Sequence, residues 1–346
     1  HIGHPSRVAF VSYKDLYMNK TTKDVYIDAD SILYQCAGVQ DNSFYTLKHT
    51  KSGNSKKFKN KKEVVEWIDN WVGDNPDKRS KEDFIIEKCK ELSGSIESAI
   101  NLFRVKVRSI TDGISAVYNI GSVFICLQGS TNFRKDIPSK WTMYKANRVD
   151  EKPILFSSLH KSVIDSWGMQ CIVSDYEETD DVVVRAGNAG NVVAFIDKDI
   201  VANTVGDLYN YNSGELFYNS DESRWRMFCT QMLIGDSSDN ICGIGHLGES
   251  TKQFYGVSNR GCGKITAEKI LSSVSSEKEA WASIIAAYSD SHPDDWADRM
   301  RETSTFLWMC RTKGEKFSLD TYLSKFDIHL NNRAERGQGG EQSSVC

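Results

Sequence analysis

The sequence predicts an α/β fold, a parallel sheet with helices on its faces. Short apolar runs predict the strands: residues 24–27, residues 122–127 with VFICL at their centre, residues 170–173 and residues 192–196. Helix-compatible segments separate these runs, and strands alternating with helices imply parallel pairing. In such sheets functional residues gather beyond the carboxyl ends of the strands. Acids fall at that place twice, Asp28 after the first run and Asp197 and Asp199 after VVAFI.

With 346 residues the chain is long enough for one large domain or two modest ones. It has no run of 18 apolar residues, so no membrane-spanning helix is expected, and a cytoplasmic location is. Residues 1–7 lack the apolar core of a signal peptide, and residues 1–23 are set aside as an N-terminal extension. The nine cysteines include no CxxC pair, which favours reduced thiols over a zinc site. A formal net charge of −4 is not that of a simple nucleic-acid coat, which is usually basic. The charge is uneven, however. Lys48, Lys51, Lys56, Lys57, Lys59, Lys61 and Lys62 share one stretch, and the acids from Asp175 to Asp181 share another. Each run alone is equally consistent with a solvated face.

Residues 44–62 read as a polar, lysine-rich hairpin around Ser52-Gly53-Asn54, either solvated or making sequence-independent phosphate contacts. Residues 62–118 read as largely helical, with a break at 73–76. WRMFCTQMLI reads as a helix, followed by a Gly/Asp-rich segment, a helix over 264–274 and a tryptophan-bearing helical region to about Cys310. Residues 331–346, rich in Gly, Gln, Glu and Ser, are expected to be disordered.

Four acidic clusters carry the chemistry: Asp28-Ala-Asp30, Glu178-Thr-Asp180-Asp181, Asp197-Lys-Asp199 and Asp236-Ser-Ser-Asp239. Loop carboxylates commonly cap helices. Converging carboxylates instead repel one another and call for a bound cation. Mg²⁺ and Mn²⁺ prefer oxygen ligands, and two such ions can clamp the attacking water and the leaving oxygen of a phosphodiester. On the residues alone, a two-metal phosphoryl-transfer site and a set of capping and surface acids are equally supported. Phe133-Arg134-Lys135 and Tyr144-Lys145-Ala-Asn-Arg148 likewise admit two readings. One is a solvated amphipathic helix with Tyr144 on the core. In the other, Lys145 and Arg148 steady a phosphate while Tyr144 stacks on an unpaired base.

The stretches IDADS, NFRKD…YKANR, EETDD, IDKD and GDSSDN, in that order, resemble the 5′-nuclease superfamily. That superfamily includes flap endonucleases, the 5′-nuclease domains of bacterial DNA polymerases and phage 5′–3′ exonucleases. The phage members are the most similar, and the likeness spans about residues 24–271. It implies a PIN-like parallel sheet flanked by helices, a helical arch region supplied in part by the segment before Lys145, and a helix-three-turn-helix that grips duplex DNA.

The implied activity is metal-dependent cleavage of DNA at or near 5′ ends or flaps, in phage replication or recombination. The implied cofactors are two Mg²⁺ ions, replaceable by Mn²⁺, with K⁺ at the helix-three-turn-helix. By this resemblance Asp28, Glu178, Asp180, Asp181, Asp197, Asp199, Asp236 and Asp239 are metal ligands, and Lys145, Arg148 and Arg134 are catalytic. Tyr144, Gly261, Gly263 and Lys264 contact DNA. The implied division is a catalytic domain over 24–222 and a helix-three-turn-helix with further helices over 223–330.

One departure stands out. Members often carry an Asp before the FR motif, where this chain reads Leu127-Gln128-Gly129-Ser130. This keeps open a DNA-binding module with a degraded site, and a nuclease acting on RNA or RNA–DNA hybrid stays open because the sequence separates these substrates poorly.

Overall fold

The computed structural model describes residues 20–148, 151–258 and 261–330. In chain order the elements are β1 (Thr22–Asp28), α1 (Asp30–Gly38), β2 (Asp41–His49), β3 (Ser55–Phe58), α2 (Lys61–Gly73), β4 (Phe84–Leu92), α3 (Ile96–Ser115) and β5 (Asn119–Gln128). Next come α4 (Phe156–Trp167), β6 (Cys171–Ser174), α5 (Thr179–Asn188), β7 (Val192–Phe195), α6 (Lys198–Asn203), β8 (Gly206–Asn210), β9 (Glu215–Asn219) and α7 (Asp221–Ile234). The remainder is β10 (Gly235–Asp236), β11 (Ile241–Cys242), α8 (Glu249–Tyr255), α9 (Lys264–Ile270), α10 (Glu277–Ser291), α11 (Trp296–Leu307) and α12 (Leu319–Ser324).

These elements form two compact units. Of the described residues, one takes 20–29, 109–148 and 169–330, and the other takes 30–108 and 151–168. Residues 1–19 and 331–346, expected to be an extension and a disordered tail, lie outside the described residues. No helix among the described residues is long and apolar enough to cross a membrane.

The first unit holds a six-stranded sheet in the order β6-β5-β1-β7-β8-β9. Every pairing is parallel except the edge pair β8–β9. The α/β reading of the sequence therefore holds. The β8–β9 hairpin has no counterpart in that reading, because its strands are short and GDLYNYNSGELFYN is as polar as a loop.

β1 sits between β5 and β7, and the chain moves outward on opposite sides of it. That reversal opens a crevice beyond the carboxyl ends of β1 and β7. β1 and β7 are lined by Val25, Ile27, Val192 and Val193, all fully buried, which is how a strand covered on both faces reads. Cys126, Val183, Val193, Phe195 and Leu208 pack on one another, joining α5 to the sheet. The C-terminal helices share a larger core around Phe228, Trp281, Tyr288, Phe306 and Trp308. Tyr288 ties α10 to the end of α7 by donating its hydroxyl to Met232 O at 2.6 Å.

The second unit carries a three-stranded antiparallel sheet, β3-β2-β4, with Leu47 and Phe58 packed against Val64 and Ile68 of α2. Asn60 caps α2 by accepting from Glu63 N–H at 2.9 Å, while Glu63 accepts in return from Lys59 N–H. The lysine-rich hairpin is thus β2–β3.

The helical reading of residues 62–118 needs one correction: residues 84–92 are a strand. The helix-forming charges of FIIEKCKEL yield to a ladder that pairs every residue of β4 with one of β2, from Asp41↔Leu92 to His49↔Phe84. The helix expected over 264–274 ends at Ile270. The segment before Lys145, expected to supply part of an arch, holds one 3₁₀ turn, Phe133–Asp136.

Gly235 closes α7 with a positive φ of 71°, and a Cβ there would lie 2.3 Å from Ile241 O and 2.4 Å from Gly243 N. Gly235→Ala is expected to destabilise the protein by roughly 2 kcal/mol or more, through backbone strain together with the clash, read as a lower urea midpoint. An unchanged midpoint would mean that the β10–β11 turn relaxes at no cost.

Candidate metal centre

The acids of the crevice are placed by element ends. Asp28 is the last residue of β1 and is buried. Glu178 precedes α5, so Asp180 lies in its first turn. Asp197 follows β7 and caps α6, accepting from Asp199 N–H at 3.1 Å. Asp236 follows Gly235 at the end of α7, and its Oδ1 accepts from Ser238 N–H at 2.7 Å. Capping is therefore present, as the simpler reading expects. It occupies one oxygen of Asp197, and Asp197, Asp199 and Asp236 still bring one carboxylate oxygen each within 4.8 Å of one another.

The electrostatics extend the group. Burial raises the Asp180 carboxyl well above its ordinary range, and Asp28, Asp197 and Glu178 push it further. Burial also raises Asp199, with repulsion from Asp197 and Asp236 adding to it. Asp197 is raised by burial and by Asp236 and Asp239, against the hydrogen bond from Asp199 N–H. Asp180 makes no hydrogen bond or ion pair within the described residues. A carboxyl left this way in a half-buried place favours its neutral form unless a cation joins it.

Glu178 behaves oppositely. Burial opposes its charge, but Lys145 and Arg134 outweigh burial and hold its carboxyl down at about 2. Lys145 pairs with Glu178 and lies 3.4 Å from Asp239 Oδ2. Arg148 pairs with Asp239 Oδ1. The two cations meet on a shared carboxylate from a non-helical turn rather than along a helix face. Lys145 has a positive φ of 55°, unusual for a residue with a side chain.

Three bonds fix that turn against the Asp236–Asn240 loop. Lys145 N–H donates to Asp239 O at 2.7 Å, Asn147 Nδ2 to Ser237 O at 2.7 Å, and Asn240 Nδ2 to Met143 O at 2.7 Å. YKANR and GDSSDN, far apart in sequence, are thus one structural piece.

Tyr144 donates its hydroxyl to Glu178 Oε2 at 2.6 Å and to Asp239 Oδ2 at 3.2 Å, and its ring stacks on Phe306 at 5.2 Å. Burial, with Glu178 and Asp239 beside it, drives its pKa upward and keeps it a proton donor.

Arg134 and Asp181 join this group from its buried side through Glu178, whose Oε2 lies 3.2 Å from Arg134 Nη1. Arg134 is 1% exposed. Its Nη1 and Nη2 donate to the two Asp181 oxygens at 2.7 and 2.8 Å, and Nη2 also reaches Trp308 O at 2.6 Å. The Asp181 oxygens further accept from Glu178 N–H at 2.9 Å and Cys310 N–H at 2.6 Å. Four donors occupy this carboxylate.

Gln128, at the place of the missing acid, is committed to the backbone. Its amide donates to Glu177 O at 3.0 Å, and its oxygen accepts from Thr179 N–H at 3.2 Å. Gly261 bridges to His246, Gly263 precedes α9, and Lys264 is exposed beside Glu268 at 3.8 Å.

Three residues escaped the sequence reading. Asn132 Nδ2 donates to Glu178 Oε1 at 2.7 Å, Lys198 lies 3.4 Å from Asp236 Oδ2, and the Gln231 amide donates to Asp199 Oδ1. Lys198 was legible as a cation between two acids, and Gln231 as a polar residue in an apolar helix.

No protein-family model matches the sequence, and no curated protein does. Two of the solved structures that match are similar to it at a low level. Bacteriophage T5 D15 protein co-crystallised with metal ions has 13% identity and a TM-score of 0.34, covering 60% of this chain and 91% of that one. A variant of T5 D15 flap endonuclease, in a pseudo-enzyme–product complex with DNA and metal ions, has 13% identity and a TM-score of 0.34, covering 61% and 89%. With likenesses this distant, a functional reading rests on the side chains.

Two stability outcomes follow. Arg134→Met leaves Asp181 buried without its partner and is expected to cost about 3–5 kcal/mol by urea unfolding, and a loss below ~1 kcal/mol would contradict the buried-pair account. In chelator, the depressed Glu178 contributes stability that is present above about pH 4 and lost as pH falls towards 2. Asp180 and Asp199 are raised, so their penalty is absent below about pH 4 and grows as pH rises through their folded values. Asp180→Asn is therefore expected to stabilise the metal-free protein at pH 8 by about 1 kcal/mol or more, with no gain at pH 4.

Proposed function

We propose that this chain is a divalent-metal-dependent 5′-nuclease that hydrolyses phosphodiester bonds of DNA at or near 5′ ends or flaps. The observation that carries the reading is a charge imbalance. Asp28, Glu178, Asp180, Asp181, Asp197, Asp199, Asp236 and Asp239 are eight acids in and behind one crevice, whereas Lys145, Arg148, Lys198 and Arg134 are the four cations paired with them among the described residues. The deficit of four charges equals that of two divalent ions.

Hard oxygen donors suit Mg²⁺, with Mn²⁺ as a substitute. Asp197, Asp199 and Asp236, whose oxygens converge, would hold one ion with Asp239 beside them, and Asp28 and Asp180 would help hold the other. Bound there, the ions would supply Lewis acidity at the phosphate and ease deprotonation of the attacking water.

The chain's own groups do the rest. Lys145 and Arg148, now neutralising Glu178 and Asp239, would turn to the phosphate when those acids are otherwise neutralised, and would steady its developing charge. Tyr144 keeps Glu178 and Asp239 in place by donating a hydrogen bond shared between them. It acts as a positioning residue more than as a base-stacking one. Arg134 and Asp181 act behind the site by fixing the start of α5. Gly261, Gly263 and Lys264 would contact the duplex backbone as part of a helix-three-turn-helix, with K⁺ bound at its turn. A phage origin and a role in replication or recombination accord with this chemistry.

The test is a time course on 5′-labelled duplex, 5′-flap DNA and RNA–DNA hybrid with Mg²⁺, Mn²⁺ or chelator. Cutting that requires the ion is expected, with DNA preferred. Asp197→Ala should lower the rate by ~10³-fold or more while the protein stays folded. Normal cutting by Asp197→Ala would remove the site assignment. Absence of cutting with either ion, despite DNA binding, would replace the nuclease by a non-catalytic DNA-binding module.

A further inference from the structure

The lysine-rich hairpin and α2 belong to the second unit and frame an aromatic cavity of their own. A cavity of about 330 Å³ opens between them, lined by His49, Ser52, Asn54, Lys56, Trp67, Trp71 and Phe84 among others. Trp67 and Trp71, one helical turn apart, hold their rings 6.5 Å apart at 15°. Phe84 meets both edge-on at 5.6 and 4.8 Å, and His49 closes the other side of Trp71 at 5.6 Å. All four rings are half-buried and reach the cavity.

The surroundings decide what an aromatic cavity can take. Such a cage can hold a quaternary ammonium, but here cations already lie on its π faces, and a base would reach the Trp67 face by displacing the exposed Lys56 side chain, whose charge would then meet a phosphate. Lys56 Nζ is 5.1 Å from the Trp67 ring centre, and the Arg79 guanidinium is 4.7 Å from that of Trp71. Residues 48–62 carry seven lysines and no acid. Lys51 and Lys57 are paired with Asp83 and Glu91 at 2.7 and 2.8 Å, whereas Lys48, Lys56, Lys59 and Lys61 make no ion pair among the described residues. A flat ring attached to an anion matches both properties. Ser52 and Asn54 at the rim offer polar groups that suit any base edge without selecting one.

We propose that this cavity is a stacking site for a base of single-stranded nucleic acid, the hairpin lysines holding the flanking phosphates. Aromatic stacking and a basic track together are the usual means of gripping single strands without reading sequence. The site does not depend on the nuclease reading, because binding here needs no metal and no cutting.

The experiment measures binding of a fluorescent oligothymidylate to the full chain in chelator, beside an abasic strand of equal length and the mononucleotide. The oligothymidylate is expected to bind roughly tenfold more tightly than the abasic strand and to quench tryptophan fluorescence. Trp71→Leu should remove most of that difference, and Lys56→Gln should weaken both strands. Equal binding of the two strands by the native protein overturns the proposal, whatever the variants do. So does an unaltered difference in a folded Trp71→Leu protein. Binding of the mononucleotide as tight as that of the strand would reassign the cavity to a free nucleotide. Loss of cleavage in Asp197→Ala leaves this binding unchanged, so the two readings fail separately.

Discussion

Carboxylates brought together out of bulk water repel one another and lose hydration, and the first unit is organised around that cost. Strand ends deliver Asp28 and Asp197, a helix start delivers Asp180, and a glycine turn after α7 delivers Asp236. Each position is rigid because its backbone belongs to a sheet or a cap. None of the acids can drift apart without breaking β1, α5 or α6. What remains adjustable is the countercharge. Lys145, Arg148 and Lys198 provide part of it at the rim, and the Asp180 carboxyl is left to its neutral form or to an added cation.

Behind the crevice the opposite rule applies. Asp181 is next to Asp180 in sequence yet is fully buried, and it accepts four hydrogen bonds, two of them from Arg134. A buried ion pair of this kind contributes little net stability compared with an apolar replacement, but it fixes geometry. It links the FRKD segment, the start of α5 and the chain after α11 at one point. Adjacent acids thus do different work because helix periodicity turns them towards different surroundings.

Much of this was legible in the sequence. The apolar runs marked β1, β5, β6 and β7, and β7 at the centre is buried at every residue, as a strand covered on both faces is. The acids after them followed from the polarity of parallel sheets. What was not legible came from long-range pairing. FIIEKCKEL has helical charges and becomes a strand only because β2 offers a nine-residue partner. Arg134 reads as part of a solvated helix or, by resemblance, as catalytic, and its burial depends on Asp181 and Trp308 converging from distant positions. Gln128 suggested a weakened ligand, but its amide is spent joining the β5 end to the start of α5. The net charge of −4 was the least informative number, because it averages an acidic crevice and a basic hairpin that belong to different units.

Gln231 carries a last consequence. It sits on α7, whose other side chains form the core of the C-terminal helices, and its amide holds Asp199 in the acidic group. Asp199 therefore answers to the position of α7 as well as to that of β7. Under the proposed metal binding, a partner that shifted α7 would alter the affinity of the crevice for a cation, and by reciprocity the cation would alter the affinity for that partner by the same factor. A single buried amide would then link the two binding events in one equilibrium.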